Sequence, residues 1–224
     1  MIKQLVYKLL FKERSSSKTY IKYLQKHCRH FGKDVVIFDP HKVFIDRDAL
    51  HFIEIGDNCQ ITAGVTILAH DESYSVCGLK YGDFPRTQKI TKIGNNVFIG
   101  MNSIILMGSE IGDNVIIGAG SVVSGKIDSD SIYAGNPAKK IKKLDDYHDS
   151  HLKNFEDSAL LYIQGFIDKN KRIPNLDEMH MYRLLFENNL DTAINKPNYM
   201  VEKVLSLNKP RYSSIEEFLN KHNK

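Results

Sequence analysis

The sequence predicts a mainly β fold, a solenoid of short strands around one axial core with helices on both flanks, and three observations predict it. An aliphatic or small residue returns at every sixth position as Ile37, Val43, Ala49, Ile55, Ile61 and Ile67, and again as Ile93, Ile99, Ile105, Ile111, Ile117 and Val123. Glycine follows five of these directly (Gly56, Gly94, Gly100, Gly112, Gly118), with Asp57-Asn58, Asn95-Asn96 and Asp113-Asn114 at turn positions. Beyond Leu144 the apolar spacing becomes helical. A six-residue period fits neither a helix nor a two-faced strand. It fits short strands joined by corners, each strand giving one aliphatic side chain to a shared core. Val65, Val97, Ser103, Val115 and Ser121, four positions after ladder residues, are small or β-branched and suit the same packing. Gly and Asn suit the corners because they accept positive φ.

Residues 1–33 form a basic N-terminal helical segment. They carry nine Lys and Arg against the single acid Glu13, in a chain of 224 residues with a formal charge of +4. The positive charge is local, so an even basic field suited to nucleic acid is absent. Ile2, Leu5, Val6, Leu9 and Leu10 share one face at helical spacing. The arm reads first as solvated amphipathic helix, and second as a peripheral contact to an anionic membrane surface or an acidic glycan. Its lysines and the lack of a small-residue cleavage site argue against a secretory signal. Cys28, Cys59 and Cys77 are widely spaced and include no CxxC pair, which suits reduced thiols in a cytoplasmic protein.

Residues 34–144 hold the solenoid. Its ladder breaks over 71–89 (DESYSVCGLKYGDFPRTQK), more than a coil can absorb, so this segment leaves as a protruding loop of the kind that carries sites. Residues 145–224 form an α-helical appendage. Leu152, Phe155, Ala159, Ile163, Phe166 and Ile167 make a helical stripe, Pro174-Asn175 precede a second helical stretch over Glu178–Glu187, and Ser213 to Leu219 read as a capped short helix. His148, His151 and His180 in this part read as surface residues.

The repeat resembles the hexapeptide-repeat acyltransferases, whose fold is the left-handed parallel β-helix. The resemblance spans about residues 35–144 and is carried by Ile111-Gly112-Asp113-Asn114-Val115-Ile116-Ile117-Gly118-Ala119-Gly120-Ser121-Val122-Val123 and by the closing segment Ala134-Gly135-Asn136-Pro137-Ala138-Lys139. Residues 20–40, Thr66-Ile67-Leu68-Ala69-His70-Asp71 and Ser73-Tyr74-Ser75 resemble the polysaccharide and sugar O-acetyltransferase branch. The resemblance implies acetyl-CoA as acyl donor, no metal, a homotrimer with active sites at subunit interfaces, and a sugar or polysaccharide acceptor. It also implies that His70, at the start of the loop, is the catalytic base. The chemistry suits an imidazole: a neutral ring takes the acceptor hydroxyl's proton as it attacks the thioester and returns it to the leaving thiolate. Asp71 or another carboxylate would orient the ring, and a backbone N–H would serve the oxyanion.

By motif position, the coenzyme would be contacted by Met101, Ala119, Ser124 and Gly125, with Lys139 and Lys142 facing its phosphates. The family often has Thr-Lys where this chain has Ser124-Gly125, and commonly Trp where it has Phe98. Asp46, Asp48 and His51, at the height of acceptor contacts, and Tyr74, Tyr81 and Arg86 in the loop are candidates for binding the sugar. Cys77 lacks an activating arrangement for a nucleophile. Three other activities share the scaffold. N-acetylation of an amino sugar or acetylation of serine changes only the acceptor. A zinc carbonic anhydrase needs closely spaced histidines that this repeat lacks. A non-catalytic trimeric scaffold would have no need of His70, the loop and the closing segment.

Overall fold

The twelve ladder residues decide the architecture: each is at most 2% exposed. In the computed structural model, which describes residues 11–190 and 198–222, they line the inside of a three-faced parallel β-helix. The helical stripe over residues 2–10 lies outside the described residues. Face one carries the strands His30–Phe31, Ile53–Ile55, Thr91–Ile93, Glu110–Ile111 and Lys126–Ile127. Face two carries Val36–Ile37, Gln60–Ile61, Val97–Ile99, Val115–Ile117 and Ser131–Ala134, closed by the antiparallel strand Lys139–Lys143. Face three carries Phe44–Ile45, Thr66–Ile67, Ile104–Ile105 and Val122–Val123. Like stacks on like along the axis, as in Ile99 on Ile117 and Ile105 on Val123. Dispersion and apolar burial therefore accumulate coil by coil.

The corners divide their work in a way the residue types alone did not reveal. Positive φ falls to asparagine and aspartate at one corner, with Asn58, Asn96, Asn114 and Asp130 between 54° and 56°. Their side chains bond along the axis, Asn96 Nδ2 to Asn114 Oδ1 at 2.8 Å and Asn114 Nδ2 to Asp130 Oδ1 at 2.9 Å. The glycines directly after the ladder aliphatics are needed for a different reason. A Cβ on Gly94 would lie 2.6 Å from the carbonyl oxygen of Gly112, and one on Gly100 would lie 2.5 Å from the amide nitrogen of Ala119. The close approach of adjacent coils, not backbone handedness, excludes a side chain there.

Helix α1 (Ser17–His27) starts at Ser16, whose hydroxyl accepts the Thr19 N–H, and buries Tyr20 and Leu24 in the core of the coils. The 71–89 excursion is more ordered than a bare loop. His70–Asp71 pairs antiparallel with Thr87–Gln88, and α2 (Tyr74–Tyr81) lies between them. The register records the insertion, for Ile61 stacks on Ile99 whereas Ile99 stacks on Ile117.

The chain forms two compact units, residues 1–147 and 148–224. In the second, α3 (Leu144–Asn170) contributes Ala159 and Ile163 to a core shared with Met179, Leu185, Phe186, Tyr212, Ile215 and Phe218. Two further helices follow, α4 (Asn198–Leu207) and α5 (Ile215–His222). The stretch expected as a helix over Glu178–Glu187 is instead 3-10 structure over Leu176–Leu185, bent at His180, whose φ is 49°. An Asn175–Glu178 capping box opens it, and the bend lets Met179 and Leu185 enter one core. Among the described residues, no helix is long and apolar enough to cross a membrane.

Candidate active site

Register brings a carboxylate and an imidazole together at one corner of the solenoid. Ile45 stacks on Ile67, and the Asp46 N–H donates to the Ile67 carbonyl at 2.9 Å, so Asp46 sits one coil away from Leu68-Ala69-His70. The carboxylate is 1% exposed. Its Oδ2 accepts the backbone N–H groups of Ala69 at 3.0 Å and His70 at 3.1 Å, and meets Nδ1 of the His70 ring. Its Oδ1 is buried without a hydrogen-bond partner. The His70 backbone is held in turn by the pairing with Gln88.

A carboxylate only accepts, so Nδ1 carries the hydrogen in this pair. That leaves Nε2 as the nitrogen available for proton transfer. The ring is 12% exposed, and Nε2 faces Glu72 Oε1 at 3.1 Å. Asp71, the neighbour first in line to orient the ring, turns away: it accepts from Ser73 N at 2.8 Å and Ser73 Oγ at 2.7 Å. The Ser73 backbone N–H, followed by its hydroxyl, holds the Asp71 carboxyl below the ordinary aspartate range. Asp46 is therefore not an exposed sugar contact. It is the partner of the His70 ring, and being buried it has no surface left for an acceptor.

The other candidates spread around this corner. Tyr74 donates its hydroxyl to Glu72, which pushes the phenol's titration upward, and its ring meets Phe84 edge-on at 5.9 Å. Tyr81 is exposed, with Lys80 Nζ 4.8 Å from its ring centre. Arg86 is exposed near Tyr74. Asp48 and His51 are exposed on the 3-10 turn Arg47–Phe52.

The residues expected at the coenzyme fall on two edges of face three. Met101 and Ala119 share the corner between faces two and three, where the Gly120 N–H donates to the Met101 carbonyl at 2.7 Å. Ser124 and Gly125 share the opposite edge with His70, and the Gly125 carbonyl accepts from Glu110 N at 2.9 Å. Lys139 and Lys142 lie on the closing strand of face two, paired with Ala134 and Ile132. One copy of the chain therefore does not gather these residues around His70. A groove of about 430 Å³ crosses face one, lined by residues such as Glu54, Lys92, Asn95, Asp113 and Ser129, none of which belongs to the His70 cluster. Among the described residues, no group of three His, Cys, Asp or Glu side chains is placed to hold a metal.

Two residues of this cluster escaped sequence reasoning in these roles. Asp46 carried a usable signal, an acid directly after a ladder strand one coil before the histidine. Glu72 carried none, because its position depends on the fold of the excursion.

Comparison with known proteins agrees with the repeat architecture. The bacterial transferase hexapeptide (six repeats) family matches residues 90–125, and the hexapeptide repeat of succinyl-transferase matches residues 53–69. Protein CapG of Staphylococcus aureus is 45% identical over 104 residues, which cover 46% of this chain and 60% of CapG. A probable macrolide acetyltransferase of Lysinibacillus sphaericus is 34% identical over 126 residues, covering 46% of this chain and 69% of the relative. The chain belongs to the hexapeptide-repeat acyltransferases. Its three-faced coil is the left-handed parallel β-helix of that family. Among solved structures, a maltose O-acetyltransferase of Clostridium difficile 630 is 26% identical, with a TM-score of 0.45, covering 62% of this chain and 81% of that one. The two matched hexapeptide stretches stop at residue 69 and resume at residue 90. The excursion that carries Glu72, Tyr74 and Arg86 lies between these two stretches.

Proposed function

We propose that this protein transfers acetyl from acetyl-CoA to a sugar hydroxyl of a cell-surface polysaccharide or its precursor, with His70 as general base. The carrying observation is the His70–Asp46 pair: a ring fixed through Nδ1 by a buried carboxylate, with Nε2 turned toward the exposed Glu72 carboxylate. The acceptor oxygen attacks the thioester carbonyl while Nε2 takes its proton. The tetrahedral intermediate then collapses, the C–S bond breaks, and Nε2 returns the proton to the thiolate. Asp46 stabilises the imidazolium formed between these steps. Direct transfer suits the two cysteines of the solenoid core, since burial pushes Cys28 up to about 12 and Cys59 up to about 11, leaving neither of them as a thiolate nucleophile. The names of the acetyltransferase relatives support acetyl as the group moved.

A homotrimer with shared sites is part of the same reading. On face one the outward side chains pair in register as His30, Glu54, Lys92, Glu110 and Lys126, an alternation of charge that suits water. On faces two and three the outward positions include Val36, Phe98 and Ile116, and Phe44, Ile104 and Val122. Phe98 is 38% and Phe44 44% exposed in the single chain. Apolar outward faces support contact between copies. The separation of Met101 and Ala119 from the His70 edge supports a coenzyme groove completed by a neighbour. Lys139 and Lys142 would face its phosphates.

The test is product chemistry. Purified protein, acetyl-CoA and a panel of sugars and surface glycans should give free thiol and an acetyl ester that hydroxylamine cleaves. A hydroxylamine-resistant acetamide would replace the O-acetyltransferase reading with N-acetylation of an amino sugar.

A further inference from the structure

Glu72 stands where an acceptor must stand. A base collects its proton across about 2.6–3.2 Å, and at His70 Nε2 that distance is already filled by Glu72 Oε1 at 3.1 Å. The side chain is 63% exposed, on the short link between the His70 strand and α2. No buried network forces it there, but it is anchored: the Tyr74 hydroxyl donates to it, and the Tyr74 ring is braced by Phe84. The ring is thereby flanked by carboxylates, Asp46 at Nδ1 and Glu72 at Nε2. Because a carboxylate only accepts, the Glu72 contact is a hydrogen bond only when Nε2 carries a hydrogen. In that form the nitrogen has no lone pair to offer an attacking oxygen.

We infer that Glu72 is a positioning residue that makes the centre discriminate a polyhydroxyl acceptor from water. Water is the competing acceptor that is always present, and with His70 uncovered it would attack the thioester, release acetate and coenzyme A thiol, and waste the donor. A water molecule offers one oxygen and no second anchor, so it competes poorly with a carboxylate held by both Nε2 and Tyr74. A sugar bound through its other hydroxyls displaces Glu72, whose carboxylate leaves with the Nε2 proton, and brings its own hydroxyl to the lone pair so freed. The inference rests on His70 being the base, as proposed above.

Two acceptor-free measurements on the full chain test it. Carbethoxylation of His70 by diethyl pyrocarbonate, followed by peptide mass spectrometry, reads access to Nε2 without any turnover. Hydrolysis of acetyl-CoA, followed by thiol release, reads the attack of water. Glu72→Ala should speed both about tenfold, the scale of one lost charge-assisted hydrogen bond. Glu72→Gln, whose amide can still cover Nε2, should stay near the parent in both. Wild-type carbethoxylation in Glu72→Ala would overturn the contact. Faster carbethoxylation with unchanged hydrolysis would overturn the discrimination against water. Acceptor-dependent transfer that survives in His70→Ala would instead overturn the base assignment, while the carbethoxylation result stood.

Discussion

Replacing Asp46 by asparagine isolates the electrostatic part of the His70 pair. The amide oxygen can keep the place of Oδ2 and still accept from Ala69 N, His70 N and the ring Nδ1. The opposite orientation would set the amide hydrogens against those donors, so the oxygen stays inward. Geometry survives and the negative charge is lost. Attraction between a carboxylate and an imidazolium about 4 Å apart is about 4 kcal/mol at an effective dielectric constant of about 20, or roughly 10³ in rate. The ring's 12% exposure lets solvent screen part of this. Asp46→Asn should therefore lower kcat/KM for the acceptor by about 10² to 10³. Stability should move far less. The new amide nitrogen takes the place of Oδ1, which has no hydrogen-bond partner, and an unpaired buried donor costs about 1–3 kcal/mol, offset by removal of a buried charge. The assays are steady-state thiol release and a urea titration on the same preparation. A folded Asn variant within tenfold of the parent would refute the claim that Asp46 supports the charge developing on His70.

Three further outcomes follow from the structure. Gly94→Ala should destabilise the solenoid by about 1–3 kcal/mol in urea titration, because its Cβ would fall 2.6 Å from the Gly112 carbonyl oxygen; an unchanged midpoint would refute the close-stacking account. Phe98→Glu or Phe44→Glu should dissociate the proposed homotrimer in analytical ultracentrifugation and abolish acceptor-dependent activity, whereas a fully active monomer would sink the shared site. Glu178 is held down to about 2, chiefly by the Arg172 guanidinium and then by the Asn175 N–H. Because its folded pKa lies below the unfolded value of about 4.3, its contribution is present above that pH and fades as pH falls toward 2. The melting temperatures of the parent and Glu178→Gln should therefore differ at pH 6 and converge near pH 2; a gap that persists would contradict the ion pair's role.

The fold was legible because its determinant is periodic. The six-residue ladder and the turn asparagines each repeat a local rule, and all twelve ladder residues are buried. The glycine rule was only half legible. Residue type signals freedom in φ, but the exclusion of a Cβ at Gly94 and Gly100 arises from a neighbouring coil many residues away. The same limit governs the site. His70 stood out because it ends the ladder before the insertion and matches the family's histidine, whereas Asp46, singled out in sequence as a sugar contact, was tied to the ring only once Ile45 was stacked on Ile67. Sequence left the orienting group open between Asp71 and another carboxylate, and the Asp71 carboxylate is taken by Ser73. Glu72 depends on the course of the excursion, where no repeat dictates position. In the second unit, the bend at His180 defeated a helical reading because the core's demand for both Met179 and Leu185 is tertiary.

The measurement closest to the central claim compares His70→Ala with the parent in acceptor-dependent release of thiol from acetyl-CoA, with acetyl-CoA binding followed by calorimetry in both. Unchanged binding, with transfer reduced by about 10² to 10⁴, is the predicted result. Transfer within a few-fold of the parent would contradict His70 as the base.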